Sequence, residues 1–219
     1  PADSLRSTIR FTLIFLAVAL AVSGWYYLRN WFAMGRFFIG GWDAFRGIVW
    51  WQDPGYRTLR QCFGFGESLF YPVFASLYGF WDALYSSFWM DGYLSAYNRP
   101  PWNYSFMLSG AWLALLPTAA ILIGGVIGVT GRKSGPLRGM LHFSVLAVLL
   151  YGAAMFSVFV TVPILSSAKA TYALGLIPCF ALLGAAGFEF LSQWRLLRST
   201  AYGLFACWVV ASYVAYLAI

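Results

Sequence analysis

The sequence predicts an all-α integral membrane protein of about five transmembrane helices, joined by one long external loop that contains interfacial amphipathic helices. Three observations carry this. Of 219 residues, 61% are apolar and 10% charged, against about 25% charged in soluble domains. Apolar runs of about 20 residues, the length that crosses about 30 Å of hydrocarbon, recur along the chain. Between Asn30 and Ser105, by contrast, lie Trp31, Trp42, Trp50, Trp51, Trp81, Trp89 and Trp102, with five of the seven carboxylates. Connections between helices are usually a few residues long, and long ones tend to be functional or disordered. Disordered segments are poor in aromatics, so this one is expected to be ordered and to hold the function.

The organisation read from the sequence is a first transmembrane segment over 1–29, an aromatic-rich external loop over 30–105 and a four-helix transmembrane region over 106–219. The first span runs from Phe11 to Leu28. Trp25-Tyr26-Tyr27 at its end reads as a membrane-interface belt, and no small-residue cleavage site marks a signal peptide. The chain begins Pro-Ala-Asp and enters this run within ten residues, from which a processed chain or a piece of a longer protein is expected. The other spans are Phe106 to Thr130, Leu141 to Val162, Leu174 to Leu191 and Tyr202 to Ile219.

Net charge is +7, but no basic stripe suited to nucleic acid is present. The cations flank spans instead. Arg6 and Arg10, then Arg132, Lys133 and Arg138, then Arg195 and Arg198 fall on one side if every run crosses once, and the positive-inside bias makes that side cytoplasmic. The expected location is a bacterial inner membrane, with the N-terminus cytoplasmic and the long loop external. Cys62, Cys179 and Cys207 have no metal-ligand spacing and support no disulfide framework.

Inside the loop, Gly40-Gly41, Asp53-Pro54-Gly55 and Arg99-Pro100-Pro101 are turn signals. Glu67 to Met90 reads as one or two amphipathic helices, because Phe70, Phe74, Leu77, Trp81, Leu84 and Phe88 recur at steps of three and four. Such a helix is expected to lie along the membrane surface with that apolar stripe facing down into it, and Pro72 suits its first turn. Gly124, Gly125 and Gly128, in mid-span, are read as close helix packing.

Three features could carry chemistry. In Trp50-Trp51-Gln52-Asp53-Pro54-Gly55-Tyr56-Arg57, Arg57 could fork a phosphate beside a Trp wall. The plainer reading is a capped turn with an Asp–Arg pair. In Phe80 to Gly92, Asp82 and Tyr85 share a helix face. A carboxylate there could act as acid, base or metal ligand, or be an interfacial hydrogen-bonding residue, and the latter is favoured. Lys169, in Ser166 to Tyr172, could snorkel or meet an anionic headgroup beside a helix N-terminus. With one histidine and no clustered cysteines, zinc sites and triad hydrolysis are excluded. No cofactor is indicated.

The segments Gly24 to Asn30, Trp51 to Arg57, Phe80 to Gly92 and Lys169-Ala170-Thr171-Tyr172 resemble the central to C-terminal part of polytopic glycosyltransferases of the GT-C superfamily, the protein O-mannosyltransferase-like and dolichyl-phosphate-mannose-dependent proteins. The resemblance implies transfer of a sugar from a polyprenyl-phosphate donor at the external face, using a carboxylate from a first external loop that nothing here matches. It implies Trp51, Asp53, Arg57, Lys169 and Tyr172 as substrate-binding residues and leaves the catalytic residue unassigned. The expected partners are the lipid-linked sugar, membrane lipids and the remainder of a parent polypeptide. The alternative is a non-catalytic membrane subunit, or a transporter segment, whose loop binds a partner.

Overall fold

The computed structural model describes residues 2–35, 37, 57–73, 75–92, 103–131, 135–161 and 167–217. Every regular element among them is helical. The chain divides into two compact units, Pro1–Trp50 and Trp51–Ile219.

The first unit is built on α1 (Ala2–Met34), 33 residues long. The predicted span from Phe11 to Leu28 lies inside it, and the Trp25 to Asn30 segment continues the helix. α1 stops at Gly35, whose φ of 69° is the left-handed geometry that glycine adopts without steric cost at a helix end. The Gly35 N–H donates to Trp31 O at 2.8 Å. Asn30 Nδ2 donates to Phe37 O at 3.3 Å, and Trp31 stacks on Phe37 at 4.5 Å between centroids.

Four helical stretches of the second unit are long and apolar enough to cross a membrane: Tyr104–Thr130, Pro136–Thr161, Ala170–Leu191 and Arg195–Leu217. Their elements are α4 (Tyr104–Leu113), α5 (Leu115–Thr130), α6 (Pro136–Thr161), α7 (Ile177–Leu191) and α8 (Arg195–Leu217), with α7 entered through a 3₁₀ turn over Ala170–Leu176. They overlap the last four predicted spans, of which Val162, Ala218 and Ile219 lie outside the described residues. α4 and α5 form one stretch interrupted at Ala114, because Pro117 has no N–H to give to the preceding turn. Asn103 starts α4 by accepting the Ser105 and Phe106 N–H groups, an N-cap that satisfies otherwise orphaned donors.

α5 packs chiefly on α7, α4 on α8, and α6 against both α5 and α7. The α5–α7 contact is backbone to backbone. A Cβ on Gly124 would lie 1.8 Å from Leu183 O, and one on Gly187 would lie 1.8 Å from Ala120 O. Gly128 closes on Val145 and Leu141 of α6. Small residues let helices approach this closely in a membrane, as the glycine run predicted. Gly125, however, has nothing within 4 Å.

Residues 57–73 and 75–92 form a cap on the bundle end where α4 begins and α8 finishes, the end at which the Asn103 N–H donates to Ala215 O. α2 (Leu59–Phe63) opens the cap with a reciprocal capping box between Thr58 and Gln61. Two 3₁₀ turns follow, Glu67–Leu69 and Ala75–Leu77, and then α3 (Phe80–Trp89). The reading of Glu67 to Met90 as one or two amphipathic helices is corrected here, since the α-helix described in it is Phe80–Trp89 and the rest is 3₁₀ turns and connections. Pro72 sits between the two 3₁₀ turns rather than in a helix first turn. The buried side of α3 carries Phe80, Asp82, Ala83, Tyr85 and Ser86. From the expected stripe, Phe70, Leu77 and Trp81 are 56%, 53% and 46% exposed. Leu84 and Phe88 of the same stripe are half-buried, Leu84 against the Phe80–Phe159 cluster and Phe88 against Phe180.

α3 is held on several helices at once. Phe80 packs on Phe156 and Phe159 of α6 at 5.1 and 5.4 Å. Phe88 meets Phe180 of α7 at 5.0 Å, and Trp89 meets Trp208 of α8 at 5.3 Å. Tyr85 Oη donates to Ala111 O at 2.5 Å and Trp89 Nε1 donates to Thr118 Oγ1 at 2.8 Å. These two bonds reach either side of the break at Ala114, so α3 supplies donors where the span departs from regular helix.

Candidate functional site

The candidate site lies at the capped end, where the chain before α2 meets the entry to the Ala170–Leu176 turn. Arg57 is half-buried. Its Nε donates to Phe159 O at 3.1 Å and its Nη2 donates to Ser167 Oγ at 3.4 Å. Its Cζ stands 4.0 Å from the centre of the Phe159 ring, within the range of a cation–π contact. Phe159 is in the last turn of α6, whose carbonyls carry the negative end of the helix dipole. A cation bonded there is favoured on two counts, and Arg57 is fixed by partners more than 100 residues away in sequence.

Lys169 follows Ser167 by two residues and occupies the N-cap position of the Ala170–Leu176 turn, with extended backbone at φ −125°, ψ 126°. It is half-buried. The next residue is anchored to the cap, since the Ala170 N–H donates to Ser87 Oγ at 2.8 Å. Ser87 Oγ in turn donates to Ala83 O at 2.6 Å. α3 thus fixes the segment carrying Lys169 from one side, and Arg57 fixes it through Ser167.

Tyr172 exposes its ring, and its backbone O accepts from the hydroxyl of Tyr151 on α6. Of the five residues singled out as substrate-binding, the structure brings Arg57, Lys169 and Tyr172 to one end of the bundle. Trp51 and Asp53 lie outside the described residues.

Asp82 takes a structural role. It is 2% exposed, and its Oδ1 accepts the Gly66 N–H at 3.0 Å and the Ser68 N–H at 2.8 Å. A carboxylate receiving two backbone N–H groups is a strong acceptor and ties the start of the Glu67–Leu69 turn to α3. The hydrogen-bonding reading favoured from sequence therefore describes Asp82, although it is buried rather than interfacial. Tyr85 lies on the same buried side. Desolvation raises its pKa above the ordinary tyrosine value, a hydrogen bond with Thr118 partly opposing the shift.

Asp91 follows the end of α3, and its N–H donates to Tyr216 Oη at 2.7 Å. Gly92 then passes so close to α3 that a Cβ would stand 2.5 Å from Ser86 Oγ and 3.1 Å from Pro72 O.

One feature escaped the sequence reading. Arg60 and Glu67 form an ion pair at 2.6 Å, bridging α2 and the first 3₁₀ turn. The signal was present in an Arg and a Glu seven residues apart, with Gly64 and Gly66 between them to turn the chain.

No family model, curated protein or solved structure matches this chain.

Proposed function

We propose that this chain is the C-terminal part of a membrane glycosyltransferase that uses a polyprenyl-phosphate sugar. In this reading the capped end faces the external side and forms the phosphate-binding wall of the donor site. The observation that supports it is that Arg57 and Lys169 lie at one end of an apolar bundle, Arg57 bonded to Ser167 two residues before Lys169, and both on segments tied down by cap and helix contacts. A lipid-linked sugar needs a greasy surface for its tail and fixed positive charge for its phosphate.

The chemistry follows from that charge. An acceptor oxygen attacks the anomeric carbon, the bond from that carbon to the phosphate oxygen breaks, and the polyprenyl phosphate leaves with the electron pair. Arg57 and Lys169 stabilise the charge growing on the leaving phosphate, an electrostatic contribution that is large where water is excluded. The acceptor's proton needs a base. Asp82 is not assigned to that role, because its carboxylate holds two backbone N–H groups. In this reading the base belongs to the remainder of the parent polypeptide, and the chain alone binds the donor without turning it over.

Arg57 also favours a second reading. A cation bonded to Phe159 O closes the end of α6 and needs no ligand, which fits a non-catalytic subunit. Titrating the chain in nanodiscs with a polyprenyl-phosphate hexose, followed by native mass spectrometry, separates the two. The glycosyltransferase reading expects saturable binding that Lys169→Ala weakens about tenfold at unchanged thermal midpoint. Binding no tighter than that of the matching polyprenol without phosphate removes this reading and leaves the subunit.

A further inference from the structure

On the cap, beside α2, the surface carries a depression of two lobes. One has a volume of about 290 Å³ and is lined by Arg60, Phe65, Glu67, Phe70, Tyr78 and Asp82, among others. The second, about 380 Å³, shares Arg60, Glu67 and Tyr78 with it. Neither Arg57 nor Lys169 lines either lobe.

We propose that this depression binds the ring of a neutral sugar. The inference goes beyond the donor-site reading and stands whether or not Lys169 holds a phosphate.

The charge pattern selects the ligand class. The Arg60–Glu67 pair presents guanidinium donors and carboxylate acceptors side by side at 2.6 Å. A ligand anion would face Glu67 and Asp82, and a cation would face Arg60. A vicinal diol suits both halves, since each hydroxyl donates and accepts. The pair is open to such a ligand, with Arg60 and Glu67 side chains 79% and 36% exposed.

The aromatic pattern agrees. Phe65, Phe70 and Tyr78 supply ring surface in the same lobe. Tyr78 extends that surface to Tyr71, 6.1 Å away at an interplanar angle of 35°. One face of a hexose is a sheet of C–H groups, which packs on aromatic faces, while its edge hydroxyls reach polar side chains. An exposed charged pair bordered by exposed aromatics offers both contacts from one surface.

The floor is also preorganised. Asp82 ties Gly66 and Ser68 to α3. Gly64 approaches α2 so closely that a Cβ would stand 2.6 Å from Arg60 O. The turn between Arg60 and Glu67 is thus held in shape before any ligand arrives, which lowers the ordering cost of binding.

The test is saturation-transfer NMR on the full chain in nanodiscs, with methyl glucoside, methyl galactoside and methyl mannoside as probes and glycerophosphocholine as the zwitterionic comparison. The expected result is transfer to the ring protons of at least one hexoside. Tyr78→Ala and Glu67→Gln should each weaken it about tenfold, and Lys169→Ala should leave it unchanged. Circular dichroism checks that each variant keeps its helix content. If Glu67→Gln loses helix, Tyr78→Ala decides alone, because Tyr78 is a surface residue whose ring takes no part in the Asp82 clamp. Three outcomes overturn the proposal: no transfer to any hexoside, transfer insensitive to Tyr78→Ala, or binding of glycerophosphocholine in place of the hexosides. Failure of the donor-site reading is separate, since it is read from Lys169 and a phosphate-bearing lipid.

Discussion

Two contacts within the same unit are built by opposite means. α5 and α7 meet backbone to backbone through Gly124 and Gly187, with no room for a methyl group. α3 meets the bundle through side chains, with aromatic rings on α6, α7 and α8 and polar bonds to Ala111, Thr118 and Ala170. Between helices in lipid, close packing drives association because the surroundings are as apolar as the side chains. At the capped end, polar backbone and broken helix must be satisfied, and only side chains with donors and acceptors can do it. The bundle should therefore be sensitive to added bulk, and the cap to lost polar atoms.

The largest expected effect tests the first half of that contrast. Gly187→Ala puts a Cβ 1.8 Å from Ala120 O and 2.7 Å from its carbonyl carbon. Neither helix backbone can yield locally, so α5 and α7 must separate. Overpacking of this kind costs about 3 kcal/mol, expected as a clear fall in the thermal midpoint of the detergent-solubilised chain. Gly125→Ala is the internal comparison. Its Cβ meets nothing within 4 Å, and alanine gains up to about 1 kcal/mol in helix propensity. Equal destabilisation by both substitutions would break the comparison.

Next in size is the loss of the Asp82 carboxylate. Asp82→Ala strands the buried Ser68 N–H and the Gly66 N–H, at about 2 kcal/mol for the unsatisfied donors. The loss should be local. Hydrogen exchange should accelerate over residues 64–70 while the α5–α7 helices keep their protection, because both N–H groups that Asp82 accepts belong to the cap. Acceleration spread evenly over cap and spans would mean that the two regions unfold together.

The contrast also explains what could be read from the sequence. The last four spans were legible because hydropathy needs only local composition, and Gly124 and Gly128 were legible as packing residues because small residues within an apolar run have few other uses. The face of α3 was legible in part. Here Trp81 is exposed while Asp82 and Ser86 are buried, because the partners of α3 include backbone N–H groups and a turn that needs polar anchoring. The site was legible as residue types but not as contacts. Arg57 could be singled out, yet its bonds to Phe159 and Ser167, two spans further on in sequence, left no local trace. The Arg60–Glu67 pair was close enough in sequence to find, but it depends on the turn through Gly64 and Gly66, which spacing alone does not specify.

The smallest effect probes the cap with a proton. Tyr85 donates to Ala111 O from a buried position, and burial holds its pKa above the ordinary value of 10.0. The folded chain therefore keeps the phenolic proton at pH values where the unfolded chain has lost it. Stability from this group is present in full below the unfolded pKa near 10.0 and declines as pH rises past it toward the folded value. Tyr85→Phe removes both the hydrogen bond, at about 1 kcal/mol near neutral pH, and this part of the alkaline decline. The measurement is the difference in thermal midpoint between the two proteins across alkaline pH, which cancels the exposed tyrosines common to both. That difference should shrink as pH rises, because the wild-type advantage depends on a proton that becomes harder to keep. A constant or widening difference would mean that Tyr85 acts through the packing of its ring, and the cap would then be held by shape, like the α5–α7 contact.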